Sequence, residues 1–324
     1  MKDSYEAYNE SIMKGLAAAR VLLSRVSEGS GTVEEREARL ADAIRNSEAV
    51  LIGAGAGLST SAGFVYSGER FRRYFFDFEK RFGIRDMYSG GFFPFPDERT
   101  RWAWWARHIY FNRFAAAPKP AYERLLDLVR EKEYFVITTN VDHQFQRAGF
   151  DGARLFCTQG DYGLFQPADG GGSTFENEGW VMRAMEAQGF VKDEKGEFTV
   201  PPGGRLAMLL PKELIPRTPE GLAVSMNLRS DDTFVEDGNW HRACAAYTRF
   251  LEAHSAGRML YLELGVGGNT PMIIKFPFWQ MTLDNPEATY ACVNYGEAFC
   301  PARIEDRSVC INGDIYETLL GIKA

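Results

Sequence analysis

The sequence predicts an α/β fold: a doubly wound, mostly parallel, Rossmann-like sheet with a smaller, largely helical domain inserted into it. Three observations predict it. An apolar run at residues 49–52 leads into glycines at 53, 55 and 57. A second run, at 259–264, leads into Gly265-Val-Gly-Gly268. Short apolar runs alternate with amphipathic stretches over residues 32–160 and again from 236 onward, as strands and crossover helices do.

In chain order, residues 4–26 carry Tyr8, Ile12, Leu16, Ala19, Leu22, Leu23 and Val26 at helical spacing. Ser27-Glu-Gly-Ser-Gly31 breaks that helix, so residues 1–31 read as an N-terminal helical extension. Thr32 caps a second helix with Leu40 and Ile44 on one face. Residues 64–117 are dense in rings: Phe71-Arg-Arg-Tyr-Phe-Phe-Asp-Phe78, Gly91-Phe-Phe-Pro-Phe-Pro96 and Trp102-Ala-Trp-Trp105. Pro94 and Pro96 separate helical pieces, and the rings predict a helical subdomain core. Pro120 opens a helix with Leu125, Leu128 and Val129 inward. A strand at 134–138 ends in Thr139-Asn-Val-Asp142, and another at 153–157 ends in Thr158-Gln-Gly-Asp161. Residues 162–235 are polar and carry Asp169-Gly-Gly-Gly-Ser173 and Pro201-Pro-Gly-Gly204. A helix at 241–256, strands at 259–264, 288–294 and 307–311 and a helix from Gly313 complete the chain. The sheet domain is expected from 32–64, 118–160 and 236–324, and the insertion from 65–117 with 161–235.

The 324 residues are 45% apolar and 25% charged, as in a soluble globular protein. A net charge of -7 leaves no basic surplus for nonspecific nucleic-acid binding. The five cysteines contain no C-x-x-C, so neither a zinc ribbon nor a thioredoxin-type site is expected, and no metal ligand is assigned. The N-terminus does not read as a leader, and no apolar run reaches membrane-spanning length. A cytoplasmic location with no membrane partner is expected.

A parallel sheet brings its strand C-termini to one edge, where an extended polar ligand such as a dinucleotide binds. Gly55, Ala56, Gly57 and Ser59, then Asn140 and Asp142, then Gln159, then Gly265 and Val266 all fall at such ends. Glycine lets backbone N–H groups approach a phosphate. Gly53-x-Gly55-x-Gly57 departs from the common G-x-G-x-x-G spacing, so a tight turn without ligand stays open on this motif alone.

In order, these motifs resemble the sirtuins, NAD-dependent protein deacylases and ADP-ribosyltransferases. Gly55-Ala-Gly-Leu-Ser59 with Ser61-Ala-Gly63 is similar to the family's opening motif. Thr138-Thr-Asn-Val-Asp142 with Gln146-Arg-Ala-Gly149 is similar to its TQNID region, and Gly265-Val-Gly-Gly-Asn-Thr-Pro271 to its second glycine turn. The resemblance implies NAD as cofactor, with Phe64 also in its binding loop. It implies Asn294 on a ribose, and Asp314 and Ile315 at the adenine.

The departures bear on activity. The family's catalytic histidine falls on Gln159-Gly160, and its four zinc cysteines are absent, with Pro216-Arg-Thr-Pro-Glu-Gly221 where a knuckle would be. Its GIPDFR stretch becomes Gly63-Phe-Val-Tyr-Ser-Gly68, without the Asp and Arg. This pattern, with Met226-Asn-Leu-Arg-Ser230, resembles the class M sirtuins, which implies ADP-ribosylation of a lipoylated glycine-cleavage H-like carrier protein and a macrodomain hydrolase as functional partner.

Breaking the nicotinamide–ribose bond passes through an oxocarbenium-like state. Asn140 can fix a hydroxyl or water and Asp142 the carboxamide; Asp142 as a mere helix cap stays open. Deacylation also needs a base on a ribose hydroxyl, and a glutamine amide has no usable basicity. Asn140, Asp142 and Gln159 are therefore the expected catalytic set for ADP-ribosyl transfer, provided no imidazole takes over at Gln159. Arg229 is a candidate for steering an acidic acceptor or a diphosphate, or else a solvated surface residue. An Asp142–His143 dyad is not expected, because neighbours on an extended segment point apart. His108, His241 and His254 read as structural or exposed. A weak deacylase, an NAD hydrolase and a silent NAD sensor are the alternatives.

Overall fold

The structure, a computed structural model, describes residues 3–268 and 270–322. Asn269 of the second glycine turn lies outside the described residues, as do residues 1–2 and 323–324.

Six parallel strands form the main sheet, in the order Ser308–Asn312, Thr289–Asn294, Met259–Leu264, Ala49–Ala54, Glu133–Thr138 and Leu155–Cys157. Ala49–Ala54 is central, and every residue in it is buried. Its alternation explains why: Val50, Ile52 and Ala54 enter one apolar cluster, while Ala49 and Leu51 enter another on the opposite face. Helices Val33–Asn46, Ala121–Val129 and Ile315–Gly321 cover the first face. Ser4–Leu22, Gly238–His254 and Lys275–Asp284 cover the second.

Local chemistry sets the boundaries. Thr32 and Glu35 form a reciprocal capping box at the start of Val33–Asn46. The N-terminal helix stops at Leu22 although the apolar spacing runs on to Val26. Val26 and Ser27 instead pair with Pro301 and Cys300 in a two-residue antiparallel ladder. At 153–157 the Asp151 carboxylate accepts from the Ala153 N–H and winds Gly152–Arg154 into a 3₁₀ turn, so the strand begins only at Leu155. The N-terminal helix docks through Gly15: a Cβ there would lie 2.6 Å from the Pro277 nitrogen, so the two backbones touch.

A second layer comes from the two inserted segments. Helices Gly68–Phe82, Met87–Gly91 and Glu98–Ile109 pack with helix Glu178–Ala187 around a ring-rich core. A three-stranded antiparallel sheet joins them, built from Phe175–Glu176, Gly160–Pro167 and Val224–Leu228. Strand Gly160–Pro167 does not alternate strictly; a register shift between Gly160 and Phe165 lets both Tyr162 and Phe165 enter the insert core. Arg107 ties the segments together. Its guanidinium takes both Asp77 carboxylate oxygens, at 2.6 and 2.8 Å, and the Gln188 amide oxygen at 2.7 Å, and it lies against the rings of Phe78 and Phe190. It is completely buried, so this pairing is what makes the charge tolerable there.

A buried ion pair also sits under the main sheet. Lys275 Nζ lies 2.5 Å from Glu263 Oε1, and the Tyr290 hydroxyl donates to Glu263 Oε2 at 2.5 Å. Lys275→Met removes the cation and leaves the Glu263 charge in the core. Unfolding free energy measured in urea is expected to fall by about 3–5 kcal/mol, with part regained in the Glu263→Gln, Lys275→Met double variant. A single variant as stable as the parent would show that the pair is not needed to neutralise Glu263.

Candidate active site

The two glycine turns meet with no side chain between them. The Gly57 N–H donates to the Gly265 carbonyl at 3.0 Å. A Cβ on Gly57 would lie 2.6 Å from the Gly265 Cα, and one on Gly55 would lie 2.6 Å from the Gly265 oxygen. Gly265 itself has φ +66, a conformation glycine adopts readily. A Cβ on Gly267 or Gly268 would come no closer than 3.6 Å to its nearest neighbour, the Glu297 carboxylate, which accepts from the Gly268 N–H at 2.7 Å. Asn294 donates to the Val266 carbonyl at 3.1 Å and locks the second turn from the neighbouring strand.

Around the first turn, Asn140 donates to the Gly55 carbonyl at 3.0 Å, and its own N–H rests on Thr138 Oγ1. Asp142 is buried. Its Oδ2 accepts from Ser59 at 2.5 Å, and Tyr122 stands 3.0 Å from the same Ser59 hydroxyl. Its Oδ1 accepts from the Gln144 N–H at 3.2 Å, so Asp142 does shape the turn before helix Gln144–Arg147 as well as hold Ser59. Burial raises its pKa, partly offset by the Ser59 and Gln144 hydrogen bonds.

Gln159 is half-buried, and its amide donates to Thr158 Oγ1 at 3.3 Å. Thr158 is in turn held by the Thr138 carbonyl, so Gln159 is anchored to the strand that carries Asn140. Ala56, Asn140, Gln159 and Arg229 line one cavity of about 790 Å³ between the strand ends and the insertion. Arg229 is not free in solvent. It pairs with Glu236 at 2.6 Å and stacks over Phe234.

His143 and Asp142 do not form a dyad. His143 adopts φ 63 and places Nδ1 2.8 Å from Asp161, which Arg113 also holds at 2.7 Å. An imidazole does line the cavity, but it is that of His108, which the helical spacing had assigned no site role. Trp105, one helical turn earlier, lines it too, but an i, i+3 pair of an indole and an imidazole marks only a shared helix face and was no signal for a site. His108 is 2% exposed, and neither ring nitrogen has a hydrogen-bond partner among the described residues. Burial, then the nearby Arg70 charge, lower its pKa to about 3, so it is no proton acceptor near neutrality.

The remaining expected contacts are placed differently. Phe64 is buried in the main core, with the Arg70 guanidinium 5.2 Å above its ring. Arg70 thus stands beside the loop that lacks an arginine at position 68. Asp314 caps the last helix and accepts from Ser61 at 2.8 Å, while the Ile315 side chain belongs to the core. Of this pair only backbone and the Asp314 edge are open to a ligand.

No family model matches the chain. Two solved structures share its fold. A Sir2 homologue in complex with NAD covers 92% of this chain and 96% of its own at TM-score 0.55 and 15% identity. A Sir2 enzyme studied for mechanism and regulation covers 89% and 96% at TM-score 0.52 and 18% identity. A Staphylococcus aureus protein ADP-ribosyltransferase is 34% identical over 279 residues, 85% of this chain and 83% of that protein. The chain belongs to the sirtuin-like protein ADP-ribosyltransferases. A probable bifunctional ADP-ribose hydrolase/ADP-ribosyltransferase of Fusarium oxysporum f. sp. cubense is 29% identical over 289 residues, 84% of this chain but 45% of that longer protein.

In this ADP-ribosyltransferase, hydrogen bonds close the loop at 216–221. Arg217 and Ala223 bridge antiparallel, and the Gly221 N–H donates to the Thr218 carbonyl at 2.8 Å. Among the described residues, no helix is long and apolar enough to cross a membrane.

The lowered pKa of His108 has a sign that can be tested. Its folded value, about 3, lies below the ordinary 6.5, so its contribution to stability is full above pH 6.5 and is lost progressively as pH falls toward 3. Urea midpoints measured from pH 7 to pH 4 should fall more steeply for the parent than for His108→Phe. Parallel curves would mean that the imidazole is not held neutral by the fold.

Proposed function

We propose that this enzyme breaks NAD between nicotinamide and ribose and passes ADP-ribose to a nucleophile on a protein, without acyl transfer. One observation carries the reading. The side chain beside Asn140 in the cavity is the Gln159 amide, and the imidazole that shares the cavity is held non-basic. Among the described lining residues, neither the amide nor the imidazole takes a proton from a ribose hydroxyl near neutral pH, and the lining carboxylate Asp231 is exposed and bonded to Thr233.

The residues fit a dinucleotide. The glycine turns pack backbone against backbone, with no room for a Cβ at Gly55, Gly57 or Gly265, and present a floor free of side chains at the strand ends. Gly55, Ala56, Gly57, Gly265 and Val266 form the backbone floor under the diphosphate; the Gly55, Gly57 and Gly265 N–H groups are bonded to the Leu264, Gly265 and Val293 carbonyls, so donation to it falls to Ala56 and Val266. Asn294, Asp314 and Ile315 bracket the adenosine end. Bound there, NAD supplies the ADP-ribosyl group and a nicotinamide leaving group. Asn140, its amide fixed on the Gly55 carbonyl, orients the nicotinamide-side ribose. Asp142, anchored by Ser59 and Tyr122, orients the carboxamide. Gln159 holds the ribose hydroxyls by hydrogen bonds. Arg229, steadied by Glu236, faces an acidic acceptor. The aromatic walls exclude water.

The acceptor is a lipoylated carrier of the glycine-cleavage H type, and a macrodomain hydrolase reverses the modification. The class M resemblance supports both. The Fusarium relative, whose name joins hydrolase and transferase, supports the second.

The test incubates the chain with labelled NAD and a lipoylated carrier protein. Labelled carrier is expected, and Asn140→Ala and Gln159→Ala should each reduce labelling by about 10²-fold or more. Free ADP-ribose with unlabelled carrier would identify a hydrolase. A parent that labels nothing, with a Gln159→His variant that deacylates, would sink the transferase reading.

A further inference from the structure

Beside the cavity stands a residue with an unfavourable backbone. Among the described residues, His143 is the only non-glycine with a positive φ, at φ 63 and ψ 16. Side chains disfavour that left-handed conformation, which persists where the surroundings hold it and is commonest at working sites. Here the Asp161 carboxylate holds it, 2.8 Å from His143 Nδ1.

The pair joins two loops. His143 follows Asn140 and Asp142 on the loop after strand Glu133–Thr138, and Asp161 follows Gln159 on the loop after the neighbouring strand Leu155–Cys157. Backbone ties the loops at their bases, where the Thr158 N–H donates to the Thr138 carbonyl at 2.9 Å. It ties them again where the Tyr162 N–H donates to the Val141 carbonyl at 2.9 Å. Asn140 and Gln159 lie between these ties. The Gln159 carbonyl is held on one side by the Arg229 N–H at 3.0 Å. On the other side Gly160, at φ +96, passes the chain to Asp161.

Asp161 also reaches the insertion. Its Oδ1 accepts from Arg113 Nε at 2.7 Å and from the Gly163 N–H at 2.6 Å. Arg113 stands in Tyr110–Phe114, which continues helix Glu98–Ile109. Burial alone would raise the Asp161 pKa, but the His143 hydrogen bond and the Arg113 charge hold it below the usual carboxylate range. The carboxylate therefore only accepts, and His143 Nδ1 carries the proton. Val141, Gln159 and Tyr162 line the cavity, whereas His143 and Asp161 are not among its lining residues, so the pair acts on a ligand only through the loops.

We propose that His143 is a positioning residue: its Nδ1–H, sharing Asp161 with Arg113, clamps the Gln159 loop to the Asn140–Asp142 loop and keeps the two amides at one ribose. That the amides contact ribose rests on the proposed function; the clamp rests on geometry alone. Glycine at 143 would suit the backbone but leave Asp161 without this donor. Asparagine tolerates the left-handed region, and its amide nitrogen stands where Nδ1 does, one bond past Cγ. The two variants therefore separate the backbone from the hydrogen bond.

The full chain, with its four histidines labelled in the ring nitrogens, gives the first readout. The His143 signals, assigned by their loss in His143→Asn, should show the proton on Nδ1; a ring protonated on Nε2 alone overturns the proposal. Hydrogen exchange over residues 158–163 should be about tenfold faster in His143→Gly and close to parental in His143→Asn, with residues 49–54 unchanged in both. For nicotinamide release, His143→Gly should lower kcat about tenfold while KM for NAD stays within about threefold, because the glycine floor is untouched. His143→Asn should recover most of the loss. Parental exchange in His143→Gly, or an asparagine variant as impaired as the glycine one, overturns the clamp. The proton position, read on the parent, decides the matter if His143→Gly fails to fold. Exchange that responds as expected in a chain releasing no nicotinamide keeps the clamp and sinks the transferase reading.

Discussion

The contact on which the rest of the structure depends is backbone against backbone: the Gly55–Gly57 turn lying on Gly265. Three positions there have no room for a single added carbon. The contact brings the ends of two neighbouring parallel strands, Ala49–Ala54 and Met259–Leu264, to one level. It lets Asn140 reach the Gly55 carbonyl and Asn294 reach the Val266 carbonyl. A side chain at any of these glycines would meet the backbone of the opposing turn and push the two strand ends apart. The same feature makes the turn rigid, because its N–H and carbonyl groups are satisfied by each other rather than by water.

Above this floor the insertion supplies chemistry of a different kind. Its core is aromatic, and the buried Arg107 draws both inserted segments onto one guanidinium. The segments then deliver Trp105, His108, Tyr162 and Ser225 to the roof of the cavity. The main sheet offers amides and backbone. The insertion offers rings. The division suits an enzyme that must hold a charged dinucleotide on one side and shield the reacting bond from water on the other.

Much of the fold was legible in the order of short apolar runs and in the polar residues at their ends. Parallel strands buried on both faces must be apolar throughout, and their ligand-facing ends must not be. The insertion was less legible. Its polar composition hid the antiparallel sheet, whose strand Val224–Leu228 pairs with residues about sixty positions away. Gln159 could be picked out because a motif places it. His108 could not, because nothing in Trp102-Ala-Trp-Trp-Ala-Arg-His108 tells a helix face turned into a cavity from one turned into a core. Phe64 shows the converse. Its motif suggested a ligand contact, and packing put its ring in the core.

By itself, the sequence determined the strand order's raw material, the glycine turns and the loss of the basic group at position 159, since each depends on residue identity and local spacing. Only the tertiary structure decided which side chains share the cavity, that Asp142 is committed to Ser59 and that His143 turns to Asp161. It also decided that the cavity's imidazole is neutral. Burial and partner distance set these outcomes, and both are sums over residues far apart in the chain, which no local pattern encodes.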